Sequence, residues 1–170
     1  MSEPKSLQEF MALALAMENE AVERYTDFAD TMETHNNREV AALFRRMAGY
    51  EAKHAAQIMY QMNWTEAPPV PPGAAEWPDL EGPETVPHDQ VHYLMQPWHV
   101  LQLALAAEQR AEKFFAQIAT VATDESVRRA ALELQAEEAG HVALVKSWLD
   151  KVPPPDRNWA EDPDPPRYID

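Results

Sequence analysis

The sequence predicts an all-α protein in which four long helices form a bundle, built as two antiparallel helix hairpins joined by a long proline-rich crossover. One observation behind this is the distribution of proline: of 15 prolines, seven lie between Pro68 and Pro87 and six between Pro153 and Pro166. The other is the spacing of apolar residues at every third or fourth position over most of the remaining chain. No strand-like alternation with hairpin turns competes with this pattern. Two helical blocks are therefore expected, at 6–64 and about 90–152.

The first block divides into helices A and B. Ser6 and Glu9 have the spacing of a capping box, which predicts the start of helix A. The sequence Thr-His-Asn-Asn at 34–37 predicts a break between the helices. Helix B then runs to about Trp64.

The second block divides into helices C and D. Helix C begins near Asp89 or at Pro97, since proline suits the first turn of a helix, and continues to about Ala122. Helix D ends near Val152, immediately before three prolines. Its candidate N-caps are Thr123, Asp124 and Ser126.

These boundaries give one bundle domain at 1–152, with its crossover at 65–90, and a proline-rich tail at 153–170. The apolar run FMALALAM at 10–17 follows an acidic leader and leads directly into Glu18, so we interpret it as helix rather than a signal peptide. No run approaches the roughly 18 apolar residues that a membrane span requires. We expect a cytoplasmic protein that does not bind membranes.

The composition excludes several kinds of chemistry. The chain has no cysteine, so disulfides, thiolate metal sites and thiol catalysis are excluded. Its formal net charge is -15 and its pI about 4.7. Such a surface repels nucleic acids and anionic lipids, whereas it attracts cations and basic proteins.

The predicted buried face of each helix is nearly all apolar but carries a polar interruption near its middle. Two of these interruptions are single glutamates, and two are Glu-x-x-His pairs. The two halves of the chain therefore form a weak internal repeat. The six residues are Glu18 in helix A, Glu51 and His54 in helix B, Glu108 in helix C, and Glu138 and His141 in helix D.

The six side chains should lie at matching heights. Glu18 lies about 17 residues before the turn between helices A and B, and Glu51 lies about 15 residues after it, which puts both roughly 22 to 27 Å from the turn. The same comparison in the second hairpin brings Glu108 level with Glu138. If the apolar faces pack together, the six residues meet in the middle of the bundle.

Four carboxylates in a low-dielectric core repel one another and lose hydration, at several kcal/mol per ion. Protonation relieves part of this cost, and two divalent cations would neutralise it fully. Glutamate and histidine in this ratio suit iron or manganese, and zinc can substitute. A lone buried histidine or glutamate is ordinary, but six at matched heights on four helices predict a two-metal site.

At these residues the sequence resembles the rubrerythrin-like and bacterioferritin-like branch of the ferritin-like superfamily. The resemblance covers helices A to D, about 6–152, and implies a left-handed crossover bundle with a dinuclear site. It implies that Glu51 and Glu138 bridge the metals. The motifs that carry it are Glu18-x-x-Ala21-x-x-x-Tyr25, Glu51-x-x-His54, Glu108-x-x-Ala111 and Glu138-x-x-His141.

The same resemblance implies that Glu18 and His54 complete one metal site, and Glu108 and His141 the other. The chain departs from the family in several places. It has no cysteine-ligated rubredoxin domain, and Ala111 stands where rubrerythrins have an extra glutamate, with Glu112 one position away. Ala52 stands where bacterioferritins have a haem-ligating methionine, and the crossover is long. Both departures make assembly into an iron-storage shell unexpected. The tail matches no family feature.

Further residues have a functional and a structural interpretation. Tyr25 lies two turns beyond Glu18, where its hydroxyl would bond a ligand carboxylate, supply an electron, or simply pack in the core. Gly140, between two ligands, would permit close approach of another backbone or of the metals. Trp98 and Trp148 are expected in the core. Surface or capping roles are expected for His88, His92 and His99.

The resulting expectation is a di-iron oxidoreductase of rubrerythrin-like type, a homodimer that reduces hydrogen peroxide or dioxygen with electrons from an external donor protein. Four alternatives remain open from the sequence. They are a ferroxidase or iron-handling protein, an oxygenase of an organic substrate, a di-manganese catalase, and a protein that binds metal without catalysis.

Overall fold

The computed structural model describes residues 4–70 and 83–163. Within these ranges the chain is all-α, and α1 packs along α2 and α3 along α4, which confirms the two predicted hairpins. A short 3₁₀ turn at His88–Gln90 lies in the crossover. The helices are α1 Leu7–Thr34, α2 Arg38–Gln61, α3 Pro97–Val121 and α4 Glu125–Leu149.

Side chains cap three of the helix starts. The Ser6 hydroxyl accepts a hydrogen bond from the backbone N–H of Glu9 at 3.2 Å, as the capping box predicts. Asn37 caps α2 in the same manner. Of the three candidates for α4, the cap is Asp124, whose carboxylate accepts from two backbone N–H groups.

Two predicted helix ends come earlier in the structure, and one of the two predicted starts of helix C is confirmed. Helix α2 ends at Gln61 rather than near Trp64, because Asn63 adopts a left-handed conformation with φ 56° that a helix cannot continue through. Helix α3 begins at the later of the two predicted starts, Pro97. Helix α4 ends at Leu149, three residues before Val152.

The core consists of two apolar clusters stacked along the bundle. One includes Phe10, Phe115 and Ile118, and the other includes Phe28 and Phe44. The polar layer described below lies between them along the helices. The predicted apolar faces are largely buried.

The described part of the tail packs on the start of α3. Asp156 and Gln96 exchange two hydrogen bonds of 2.7 and 2.9 Å, and the Tyr93 hydroxyl donates to Asp162 at 2.7 Å. The Trp159 ring lies 4.0 Å from that of His99. Much of the predicted crossover, 71–82, lies outside the described residues.

None of the helices within the described ranges is both long and apolar enough to cross a membrane.

Candidate metal centre

The bundle brings the six predicted residues together in one layer at mid-height. Each helix contributes its glutamate from an apolar face, and all four glutamates are at most 2% exposed. The donor atoms form two trios whose members lie within 4.8 Å of one another. One trio is Glu18, Glu51 and His54; the other is Glu108, Glu138 and His141.

The two trios repeat the same geometry. In the first, His54 Nδ1 lies 3.6 Å from an oxygen of Glu51 and 3.8 Å from one of Glu18. In the second, His141 Nδ1 lies 3.3 Å from an oxygen of Glu138 and 3.5 Å from one of Glu108. In each half, therefore, the same ring nitrogen faces one carboxylate on its own helix and one on the paired helix.

Several of these donor atoms are buried without a hydrogen-bond partner among the described residues. They include one oxygen each of Glu18, Glu51 and Glu108, together with Nδ1 of His54. Buried polar atoms are nearly always paired, so each of these calls for an explanation. Lone pairs that converge from carboxylates and imidazoles fit divalent metal ions, and the donor set therefore suits the two-metal site.

Burial dominates the electrostatics of the layer. It raises the pKa of Glu18 and of Glu108 well above the ordinary carboxyl value, and the neighbouring charge of Glu51 adds to both shifts. Burial also acts to raise the pKa of Glu51, but interactions with its polar neighbours, led by the His54 imidazole 3.6 Å away, hold it below its usual range. In the metal-free protein, these shifts favour protonation of Glu18 and Glu108.

The pKa of the second histidine, His141, shifts in the direction opposite to the one that burial alone would produce. Burial acts to lower the pKa of His141, but the hydrogen bond and the negative charge of Glu138 outweigh it and raise the pKa. In the metal-free state this favours a proton on His141. A divalent ion held by His141 Nδ1 would have to displace a proton from that nitrogen.

A seventh residue of the layer, Glu84, was missed by the sequence analysis. It lies in the crossover and is 1% exposed. Its carboxylate lies within 4.8 Å of donor atoms of Glu18 and Glu138, and also within 4.8 Å of donor atoms of Glu51 and Glu108. Both of its carboxylate oxygens lack a hydrogen-bond partner among the described residues. A glutamate in a proline-rich connection is not part of a helical repeat. The helical spacing that identified the other six residues therefore could not indicate this one.

The Tyr25 side chain is 1% exposed, and its ring lies 6.1 Å from that of Phe44. No described residue hydrogen-bonds its hydroxyl. Burial raises the pKa of Tyr25 well above its ordinary value, and the nearby charges of Glu108, Glu51 and then Glu84 add to the effect. The hydroxyl thus lies in the electrostatic field of the cluster.

A cavity of about 20 Å³ lies against the cluster. Its wall includes both histidines and the apolar side chains of Met47, Leu144 and Trp148. The half-buried Trp148 also lines a surface groove of about 370 Å³. This indole therefore borders both the space beside the cluster and a groove at the protein surface.

The remaining histidines of the crossover region have the predicted surface or capping roles. His99 Nδ1 accepts from the backbone N–H of Gln96 at 3.0 Å, which completes a capping box at α3. His92 Nδ1 accepts from the N–H of Leu94 at 3.0 Å. The ring of His88 meets the edge of Phe28. Trp98 is only half-buried, as is Trp148, so the prediction that they are core residues holds in part.

Comparison with known proteins agrees with this geometry. A family model for rubrerythrin matches residues 9–76, and one for a ferritin-like domain matches residues 97–166. The crystal structure of an uncharacterised conserved protein from Magnetospirillum magnetotacticum MS-1 is similar, with a TM-score of 0.64 and 36% sequence identity. That match covers 89% of this chain and 98% of the other. No protein of curated function matches.

Proposed function

Because the chain belongs to the ferritin-like superfamily as a rubrerythrin-like protein, we propose that it is a di-iron oxidoreductase that reduces hydrogen peroxide or dioxygen to water. The observation that carries the proposal is the pair of repeated trios, each with two buried carboxylates and one imidazole Nδ1. Buried lone pairs without donors have no evident use in a protein that binds no cation.

The residues have distinct tasks in this proposal. Nδ1 of His54 and of His141 supplies one nitrogen ligand to each ion, and Glu18 and Glu108 complete the two sites. Glu51 and Glu138 would contribute carboxylates to both ions. When bound, the ions provide Lewis acidity and the electrons that pass to the oxidant. Manganese in place of iron is compatible with the same donors, and zinc would occupy the site without redox chemistry.

The protein around the donors controls what reaches them. A cavity of about 20 Å³ has room for one molecule the size of water, peroxide or dioxygen. An organic substrate is larger than this cavity, which favours reduction of a small oxidant over oxygenation. The side chains of Met47, Leu144 and Trp148 make the wall of this cavity largely apolar.

Turnover requires an external reductant. Each peroxide molecule converted to water takes up two electrons and two protons, and a chain without cysteine has no iron–sulfur relay of its own. We propose that a separate donor protein docks on the acidic surface, since a net charge of -15 attracts a basic partner. We also propose a homodimer, which a solution mass measurement tests directly.

The decisive experiment follows oxidation of the reduced centre. Protein loaded anaerobically with ferrous iron is mixed with stoichiometric hydrogen peroxide in a stopped-flow spectrometer. We expect oxidation much faster than that of the same concentration of iron in buffer. The control is Glu133→Gln, at an exposed position of α4, which should behave as wild type. Oxidation no faster than in buffer would refute the proposal.

A further inference from the structure

The crossover segment around Glu84 is held in place by two arginines that bind its backbone. Arg110 donates from Nε to the carbonyl of Pro83 at 2.9 Å and from Nη2 to that of Thr85 at 3.1 Å. Arg24 donates to the carbonyl of Val86 at 2.9 Å. One arginine comes from α3 and the other from α1, so the segment is tied to both hairpins.

This arrangement directs the Glu84 carboxylate inward without neutralising it. The arginines bond the carbonyls on either side of Glu84, while no described residue donates a hydrogen bond to either of its carboxylate oxygens. The side chain is 1% exposed, so water cannot replace those bonds from outside. A buried carboxyl group whose two oxygens both lack a hydrogen-bond partner costs free energy whether it is ionised or protonated, and a purely structural role does not account for it.

The position of the carboxylate shows which atoms it faces. Its donor atoms group once with Glu18 and Glu138, and once with Glu51 and Glu108, all within 4.8 Å. In each of these groups, one of the two glutamates beside Glu84 belongs to each hairpin. Each histidine, in contrast, lies close only to glutamates of its own hairpin in these groups. Glu84 therefore lies between the two halves of the centre.

We propose that Glu84 is a fifth carboxylate ligand of the metal pair, supplied by the crossover and positioned by Arg110 and Arg24. This inference rests on the proposed function. It also has an electrostatic consequence. Four carboxylates balance two divalent ions, while a fifth leaves one negative charge in excess and therefore favours the more oxidised, more highly charged ions.

Cobalt(II) is a suitable probe because its absorption spectrum responds to ligand number and type. Wild type, Glu84→Gln and the exposed control Glu133→Gln are titrated with cobalt in competition with a chelator. We expect Glu84→Gln to lower the affinity roughly tenfold or more, because affinity follows the ligand charge count. Its cobalt spectrum should also change, while the spectrum and affinity of the control stay at the wild-type values.

An Arg110→Ala variant separates positioning from simple electrostatics. Removal of a positive charge near a cation site should strengthen cobalt binding by charge alone. Loss of the two bonds that hold the segment should instead weaken it. We expect weakening in the wild-type background and none in the Glu84→Gln background, which a double-mutant cycle measures.

The outcomes are distinct. Wild-type affinity and spectrum in Glu84→Gln would overturn the inference and leave the metal centre intact. Failure of the wild-type protein itself to bind cobalt would refute the proposed function. Circular dichroism of each metal-free variant verifies folding, and Glu84→Asp, which keeps the charge on a shorter side chain, is the second variant if Glu84→Gln does not fold.

Discussion

The imidazole rings of His54 and His141 stack face to face, with centroids 4.1 Å apart and planes inclined by 10°. The stack joins the two halves of the candidate centre, because each ring belongs to a different trio. Its partly exposed edge, with side chains 15% and 22% accessible, lies at the small cavity. The rings thereby fix each other's orientation and the direction of each Nδ1.

Because each ring belongs to a different trio, we expect each histidine to bind a different one of the two ions. Replacement of either His54 or His141 by alanine should remove one of the two proposed metal ions and weaken binding of the other, since the remaining ring loses its stacking partner. Metal content after anaerobic loading and desalting measures this. His88→Ala, which removes a ring packed on Phe28, is the control. Full retention of both ions in His141→Ala would contradict the assignment.

The stability of the metal-free protein should fall as pH rises. Burial raises the pKa of Glu18, Glu84 and Glu108, so their contribution to stability is present below the ordinary carboxyl pKa and is lost as pH rises through the raised values. The raised pKa of His141 acts in the same direction. Each kcal/mol lost lowers Tm by roughly 2–4 °C for a chain of this size.

Thermal unfolding with chelator present, from about pH 5 to pH 8, measures this slope. Glu108→Gln, whose side chain cannot ionise, should make it shallower. Glu133→Gln removes an equal charge from the surface and should leave the slope unchanged. Metal-loaded protein should show the reverse trend, because cations displace the protons and bind more tightly at higher pH. A flat metal-free profile would contradict the direction of these shifts.

The positions of the six residues were predictable because two geometric rules fix them. Helical spacing selects the buried face, and equal distance from a hairpin turn fixes the height, so Glu18 and Glu51 had to meet once both helices were recognised. The same argument holds for Glu108 and Glu138. The structure brings all four together.

The contribution of the crossover was not predictable by the same means. Glu84 is placed by long-range bonds from Arg110 and Arg24 to backbone carbonyls, and such bonds have no period along the chain. The end of α2 was predicted too late for a related reason. A left-handed residue such as Asn63 stops a helix regardless of the apolar pattern around it.

Gly140 has no steric reason to be glycine. The expectation that it permits close approach of another backbone is wrong for the described chain, since no described atom outside its own helical turn lies within 4 Å of where an alanine methyl group would sit. Gly140→Ala should therefore stabilise α4 by about 1 kcal/mol, from helix propensity alone. Gly49 in α2 is equally open and provides a matched test. Chemical denaturation measures both, and destabilisation of Gly140→Ala would point to a metal-dependent role instead.

Trp148 should control the size of oxidant that reaches the cluster. Its indole lines both the inner cavity and the surface groove, so Trp148→Leu joins the two spaces. We expect oxidation by a bulky alkyl hydroperoxide to accelerate by roughly tenfold relative to oxidation by hydrogen peroxide, a change of about 1.4 kcal/mol in barrier. Stopped-flow rates give the ratio. Trp98→Leu, also half-buried but absent from that wall, is the control, and an unchanged ratio would place the entry route elsewhere.

Tyr25 offers a test that separates packing from participation in the centre. Its buried hydroxyl has no hydrogen-bond partner among the described residues, and such a group costs about 1–3 kcal/mol. Tyr25→Phe should therefore raise the free energy of unfolding of the metal-free protein by roughly 1 kcal/mol. Tyr60→Phe, at a side chain that is 88% exposed, should have no effect. If metal loading brings a ligand carboxylate to the hydroxyl, the same variant becomes less stable than wild type in the loaded form. A gain in both forms would instead assign Tyr25 to packing alone.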